Sequence, residues 1–382
     1  MFKKLIVVLA FCALITGVAF AEATVGGQLQ MGSMLFSGTN VNDEDVMLGG
    51  NYDGAYKEAK LSLLFGDGTA GGRLVYTFTG AELWGWVQWR PNQYFRVRMG
   101  RDGDGEGGFP QIIGWGFTGE AKNSVAAVSD YQGGLYMQYR NAGLNYGAFD
   151  GIGAFNFQLS LYPIDMLQIN FLFRDFDKPA EASEKLANMQ IWGLYKIEEV
   201  GTVRFAAVGG GGLMKDAADG ANIGTIHLAF HSSEIVPGLA FELGGQFNLP
   251  HLNETDTYGA IKLAGGINLT TLTDPFNLKV RFGTEFGGMS KGVENEKVGF
   301  SVGILPSYKL PKMTIFFHAG LGFEQANKDA DMELEWFINP YVWVPMGGMR
   351  MWVGLQIIDD HIGAGNDGQL IWRIPFGFNF YF

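Results

Sequence analysis

The sequence predicts an all-β protein: a transmembrane, antiparallel, up-and-down β-barrel with an even number of strands between 16 and 20. Three observations lead there. Apolar and polar residues alternate with period two along most of the chain, which gives strands with two unlike faces. No stretch after Ala21 is apolar for the ~18 residues that a spanning helix needs. The connections alternate between short turns and long, acidic segments, as in barrels that cross an outer membrane.

Composition narrows the class further. The 382 residues are 47% hydrophobic and 14% aromatic but only 17% charged, with 57 Gly. Soluble domains carry about 25% charge and about 7% Gly. The abundance of Phe, Trp, Ile, Leu and Val excludes a disordered chain. The net charge is −12, and it becomes more negative if Lys3 and Lys4 are removed, so nucleic acid is excluded as a partner.

Residues 1–21 read as a cleaved signal peptide. "MFKK" is basic, "LIVVLAFCALITGVAF" is apolar, and Ala19-Phe20-Ala21 is an A-x-A cleavage site. A lipoprotein signal built on Cys12 is disfavoured because Phe11 precedes it where a small residue is needed. Cys12 is the only cysteine, so residues 22–382, the expected barrel, have no disulfide to rely on.

Twenty candidate strands follow in order: 24–36, 55–65, 71–79, 82–90, 93–101, 130–140, 143–149, 153–162, 164–174, 187–198, 202–209, 221–231, 238–247, 257–268, 276–286, 297–308, 313–323, 332–344, 347–357 and 369–382. In "GRLVYTFT", Leu74, Tyr76 and Phe78 alternate with Arg73, Val75 and Thr77. In "YFRVRMG", Phe95, Val97 and Met99 alternate with Arg96 and Arg98. "PFNLKVRFGTEFG" sets Phe276, Leu278, Val280 and Phe282 against Lys279, Arg281 and Glu285. "GMRMWVGLQI" sets Met349, Met351 and Val353 against Arg350. Mid-strand charges thus share the parity opposite the large apolar residues, and the apolar face is the one that meets lipid, where a charge costs ~2–4 kcal/mol at the midplane. Lys60, Arg73, Arg96, Arg98 and Arg140 are expected on the inner wall.

The chain ends "PFGFNFYF", a lipid-facing row of Phe376, Phe378, Phe380 and Phe382. Gly377-x-x-Phe380-x-Phe382 resembles the C-terminal β-signal of bacterial outer-membrane proteins. Gly377, Phe380 and Phe382 would then be recognised by the outer-membrane insertion machinery. Pro375 departs from that pattern, where a polar residue is usual.

With its signal, alternating strands, long third external connection and terminal Phe, the whole chain resembles the bacterial porin superfamily. The resemblance implies the outer membrane of a diderm bacterium, contact with its lipid, and passive diffusion of small hydrophilic solutes without cofactor or chemical step. Porins are often homotrimers, an expectation that the resemblance extends to this chain. The same resemblance implies that the connection at 102–129, "DGDGEGGFPQIIGWGFTGEAKNSVAAVSD" through residue 130, folds inward as a constriction. Asp102, Asp104 and Glu106 would then oppose the basic wall, with mild anion preference. "DGDGEGG" also has the alternating oxygens of a calcium loop, but lacks the frame and closing Glu of an EF-hand.

No metal site emerges: His227 and His231 share a face but stand about 13 Å apart. "GGGGL" lacks the Lys-Ser/Thr of a phosphate loop, and no Gly-x-Ser-x-Gly elbow occurs, so an enzyme is not expected. Two rivals are a fatty-acid-type barrel for hydrophobic substrates and a structural or adhesive surface antigen. The first wants an apolar lumen and an N-terminal hatch, for which Glu22–Val25 is too short.

Overall fold

The computed structural model describes residues 23–39, 47–48, 58–66, 69–78, 82–101, 155–173, 189–209, 224–232, 234, 236–249, 261–269, 275–287, 297–325, 331–360 and 369–381. All of its regular structure is strand: β1 (Ala23–Thr39), β2 (Met47–Leu48), β3 (Glu58–Gly66), β4 (Ala70–Thr77), β5 (Glu82–Asn92), β6 (Phe95–Arg101), β7 (Phe155–Ile164), β8 (Leu167–Phe173), β9 (Met189–Ile197), β10 (Gly201–Gly209), β11 (Gly224–Ser232), β12 (Leu239–Leu249), β13 (Ile261–Leu269), β14 (Phe276–Gly287), β15 (Lys297–Leu310), β16 (Met313–Gln325), β17 (Met332–Met346), β18 (Met349–Gly354), β19 (Gln356–Asp360) and β20 (Gln369–Tyr381).

The ladder closes on itself. From β3 to β17 each strand pairs antiparallel with the next, β17 pairs with β18 and β19, and both pair with β20. β1 then pairs with β20 on one side and β3 on the other. Of the twenty strand segments, β2 is a two-residue stub on β1, and β18 and β19 are one strand continued through Leu355, whose N–H donates to the Pro340 carbonyl. The wall therefore has eighteen strands, within the expected range. Closure leaves no unpaired edge, the condition for a sheet to stand in lipid.

The phase of the connections is as the sequence reading expects. At one end they are 67–69, 93–94, 165–166, 198–200, 233–238, 270–275, 311–312 and 347–348. The start of β1 and the end of β20 lie at that same end. The longest connection at the other end is 102–154, between β6 and β7. Those two strands pair directly, Arg96 with Ser160 and Arg98 with Gln158, so no strand stands between them in the ladder. The candidate strands at 130–140 and 143–149 lie outside the described residues.

Local chemistry sets the short turns. Asn92 turns the chain between β5 and β6 by accepting from the Tyr94 N–H at 2.8 Å and the Phe95 N–H at 3.2 Å through its Oδ1. Gly347, at φ 64, supplies the left-handed backbone of the two-residue turn between β17 and β18.

The outer face is apolar and unpartnered by protein: Val87 is 56% exposed, Leu228 54% and Phe300 47%. Aromatic pairs lie toward both ends of it. Tyr76–Phe78 and Phe157–Phe173 sit toward the long-loop end, and Trp89–Phe95 and Phe230–Phe241 toward the short-turn end, with centroids 4.9 to 6.1 Å apart. Two such girdles are what the interfaces of a bilayer select. Outer glycines are covered by cross-strand rings, Gly193 by Phe205 and Gly72 by Phe65, which restores the packing that the missing side chains would have made.

Candidate functional site: the inner wall

Once the ring is closed, the polar parity faces inward. On β4, β5 and β6 the inner positions are Arg73, Val75, Thr77, Trp84, Trp86, Gln88, Arg96 and Arg98, with Val75 and Trp84 buried. β7 adds Asn156, Gln158 and Ser160, β8 adds Gln168, Asn170 and Leu172, and β9 adds Gln190 and Trp192.

Hydrogen bonds join many of these side chains in groups. Arg96 donates through Nη2 to Ser160 Oγ at 3.2 Å. Gln158 donates through Nε2 to the same oxygen at 3.1 Å and to Asn170 Oδ1 at 3.2 Å. Gln168 donates to Asn170 Oδ1 at 3.0 Å, and Asn170 Nδ2 donates to the Trp192 carbonyl at 3.4 Å. One strand earlier, Arg98 donates to Gln88 Oε1 at 3.3 Å and lies 4.1 Å from the centroid of the Trp86 ring. Arg73 lies 5.7 Å from that of Trp84, whose Nε1–H points at Thr77 Oγ1 at 3.4 Å. Hydroxyl, amide and ring partners orient the guanidiniums. Arg96 Nε is itself buried without a hydrogen-bond partner.

Gly100 lets this corner form. Its φ is +141, and a Cβ there would collide with the Gly85 carbonyl oxygen, so the end of β6 lies tight under β5.

A second wall, of aromatic character, lies on β16 to β18, six to eight strands from β6 around the ring. Phe316 of β16 stacks on Tyr341 of β17 with centroids 4.5 Å apart and planes 7° off parallel. His318 lies edge-on to Tyr341, whose hydroxyl is 3.3 Å from His318 Nε2. Arg350 of β18 lies 4.7 Å from the Trp343 ring centroid, and Trp343 packs on the buried Trp352.

The expected site residues distribute as follows. Arg96 and Arg98 lie on the inner parity of β6, and Arg73 lies on that of β4, two strands away in the row of Trp86 and Gly100. Lys60 occupies the matching register position on β3, opposite Gln28 of β1 and Thr77 of β4. Asp102, Asp104, Glu106 and Arg140, and the loop 102–129 as a whole, lie outside the described residues, as do Phe382 and the segment 1–22. Gly377 is buried on the inner parity of β20, and Phe380 is half exposed on the outer one. His227 is buried on the inner face of β11, with Ala206 of β10 and Gln246 of β12 as its cross-strand neighbours. Among the described residues no group of His, Cys, Asp or Glu is placed to hold a metal ion.

The Gln158–Ser160–Asn170 network and the inner aromatic wall were absent from the sequence reading. The signal was present for the first: in "NFQLSL" every second residue is polar and uncharged.

No family model matches the chain, and no curated protein matches it by sequence. Solved structures do resemble its fold. OccK10 (OpdN) of Pseudomonas aeruginosa superposes with a TM-score of 0.54 at 10% identity, over 94% of this chain and 98% of that one. OccK3 (OpdO) of the same organism gives 0.53 at 8% identity, over 94% and 96%. OmpT, an outer membrane protein of Vibrio cholerae, gives 0.51 at 10% identity, over 94% and 97%. At these identities the likeness concerns the fold. The closed ring, its paired aromatic girdles and this superposition along nearly the whole chain agree: the chain has the fold of an outer-membrane β-barrel of the porin kind.

Proposed function

We propose that the chain resides in the outer membrane and is a channel for small hydrophilic solutes, with mild anion preference and no chemical step. One observation carries the reading: the inner face of a closed eighteen-strand ring holds a hydrogen-bonded polar network from Arg96 to Asn170, with an Arg98–Gln88 pair beside it. A barrel of this size encloses a lumen wider than its own side chains fill. A fatty-acid-type conduit would line that lumen with apolar groups, whereas β5 to β9 present amides, hydroxyls and guanidiniums. The deciding experiment is conductance in planar bilayers. Stepwise KCl conductance supports the channel, and a purified, folded, inserted protein that conducts nothing removes it in favour of a structural surface protein.

The proposal includes a narrowed lumen. Ser160, Asn170 and Asn339 on the inner face are 0% exposed, which suits a constriction better than a wide tube. We assign the narrowing to residues 102–129, on their apolar "FPQIIGWGF" and their position directly after β6. Deleting Asp104–Thr118 is expected to raise single-channel conductance at least about twofold while the barrel stays heat-modifiable on gels. Unchanged conductance in the folded deletion places the constriction elsewhere.

Assembly follows from the C-terminus. Deletion of Phe382 is expected to lower outer-membrane yield more than Phe376→Leu does, as measured by fractionation. Equal yields would reduce the terminal ring to one more lipid-facing side chain.

A further inference from the structure

Four inner-wall residues stand in one row across the ladder. His318 of β16 pairs with Asn339 of β17. The register between β17 and the β18–β19 strand is the same on both sides of Leu355, from Tyr341 opposite Gly354 to Ile338 opposite Ile357, so Asn339 falls opposite Gln356. Gln356 pairs in turn with Arg373 of β20. Adjacent members are one strand spacing apart, about 4.8 Å. His318, Asn339 and Gln356 are buried. The next row toward the short-turn end holds the stacked Phe316 and Tyr341 rings, and the Tyr341 hydroxyl reaches back to His318.

Asn339 is the informative member. It is 0% exposed, and both its Oδ1 and its Nδ2 are buried without a hydrogen-bond partner. Buried amides are almost always satisfied, and one orphaned at both ends marks a position completed by something else. Whatever completes it must donate to Oδ1 and accept from Nδ2. A carboxylate only accepts and an ammonium only donates, so either leaves one atom orphaned. A hydroxyl does both, as water does, and a polyol brings several hydroxyls at once. Vicinal hydroxyls would also suit the amide of Gln356 and the donors of Arg373, while the aromatic row offers apolar surface to the C–H groups between them.

We propose that the His318–Asn339–Gln356–Arg373 row is a binding step for neutral polyhydroxylated solutes, sugars or polyols, within the channel. The inference rests on the channel reading, and it names the solute class of the wall formed by β16 to β20.

The test uses the full-length protein purified in detergent and reconstituted in bilayers, with D-glucose and sodium benzoate as probes. Calorimetry is expected to show glucose binding, with benzoate weaker. Asn339→Leu keeps the shape and removes both polar atoms, and should weaken glucose about tenfold or more. Gln356→Met, a second variant should the first fail to give a heat-modifiable barrel, is expected to do the same. Thr284→Val, on the outer face, should leave glucose affinity as in wild type. Glucose affinity unchanged in folded Asn339→Leu and Gln356→Met, or benzoate binding as tightly as glucose, overturns the inference. KCl conductance is read separately: glucose binding without conduction removes the channel and leaves the sugar row standing, and conduction without glucose binding does the reverse.

Discussion

Replacing Arg96 and Arg98 together by alanine shifts the reversal potential toward cations in a low-salt KCl gradient. The two positions are two residues apart on β6, so their Cα atoms lie about 7 Å apart on one face. Ser160 Oγ and Gln88 Oε1 hold the guanidiniums by hydrogen bonds, and neither carries charge. A guanidinium keeps its proton at any pH at which the barrel is studied. A monovalent ion passing at ~5 Å meets roughly 0.8 kcal/mol from each charge even at the dielectric of water. Two such charges favour an anion by about 1.7 kcal/mol, roughly tenfold, and disfavour a cation by as much at low salt. Raising KCl to 1 M shortens the Debye length to ~3 Å and should remove most of the difference between wild type and variant. If the two proteins share one reversal potential at low salt, the arginines do not line the conducting path. Ser160→Ala is the milder companion: it frees Arg96 without removing its charge, so selectivity should move far less than in the double variant.

Sequence alone carried the barrel, its phase and its two faces, because each follows from period-two alternation and from turn length. Leu74, Tyr76 and Phe78 against Arg73, Val75 and Thr77 is the clearest instance, since the structure buries Val75 inside and leaves Phe78 outside. Alternation says nothing about which strands are neighbours. "LYMQYR" and "LNYGAF" alternate as well as many wall strands do, yet β6 pairs straight onto β7 across them. Arg140 was expected on the lumen wall only as a member of such a strand, and it lies outside the described residues. Hydropathy misleads where the inside is not polar. Trp84, Trp192, Tyr341 and Trp352 are large and apolar, and all four are buried on the inner face. Their size and hydropathy suit lipid, whereas the parity that Trp352 shares with Arg350, and Trp84 with Glu82 and Arg90, places them inside. The Asn339 row was not legible. His318, Gln356 and Arg373 come from strands far apart in sequence, and their alignment exists only in the ladder.

The outer-face assignment is tested most sharply by moving a charge across the wall. Phe282 lies at mid-strand on β14, 41% exposed on the outer face, with Gly265 and Val302 as its cross-strand neighbours. Phe282→Arg puts a guanidinium into hydrocarbon, at a cost of ~2–4 kcal/mol near the midplane. That is about 30- to 1000-fold in the folded-to-unfolded ratio, against a much smaller loss for Phe282→Leu. Gly303 of β15 is one strand away at nearly the same height, opposite Arg281 and therefore on the inner parity. A Cβ added there meets nothing closer than the Ala319 carbonyl oxygen at 3.7 Å. Gly303→Glu adds a charge of the sign that suits Arg281, on the side where water and polar groups lie, and should change stability by less than about 1 kcal/mol. Urea titration in lipid vesicles, scored by the heat-modifiable gel band, measures both variants in one series. A large loss for Phe282→Arg beside a small one for Gly303→Glu fixes lipid on the outer parity of the wall. Comparable losses would mean that the two parities see the same solvent, and a membrane-spanning barrel with an aqueous lumen could not survive that result.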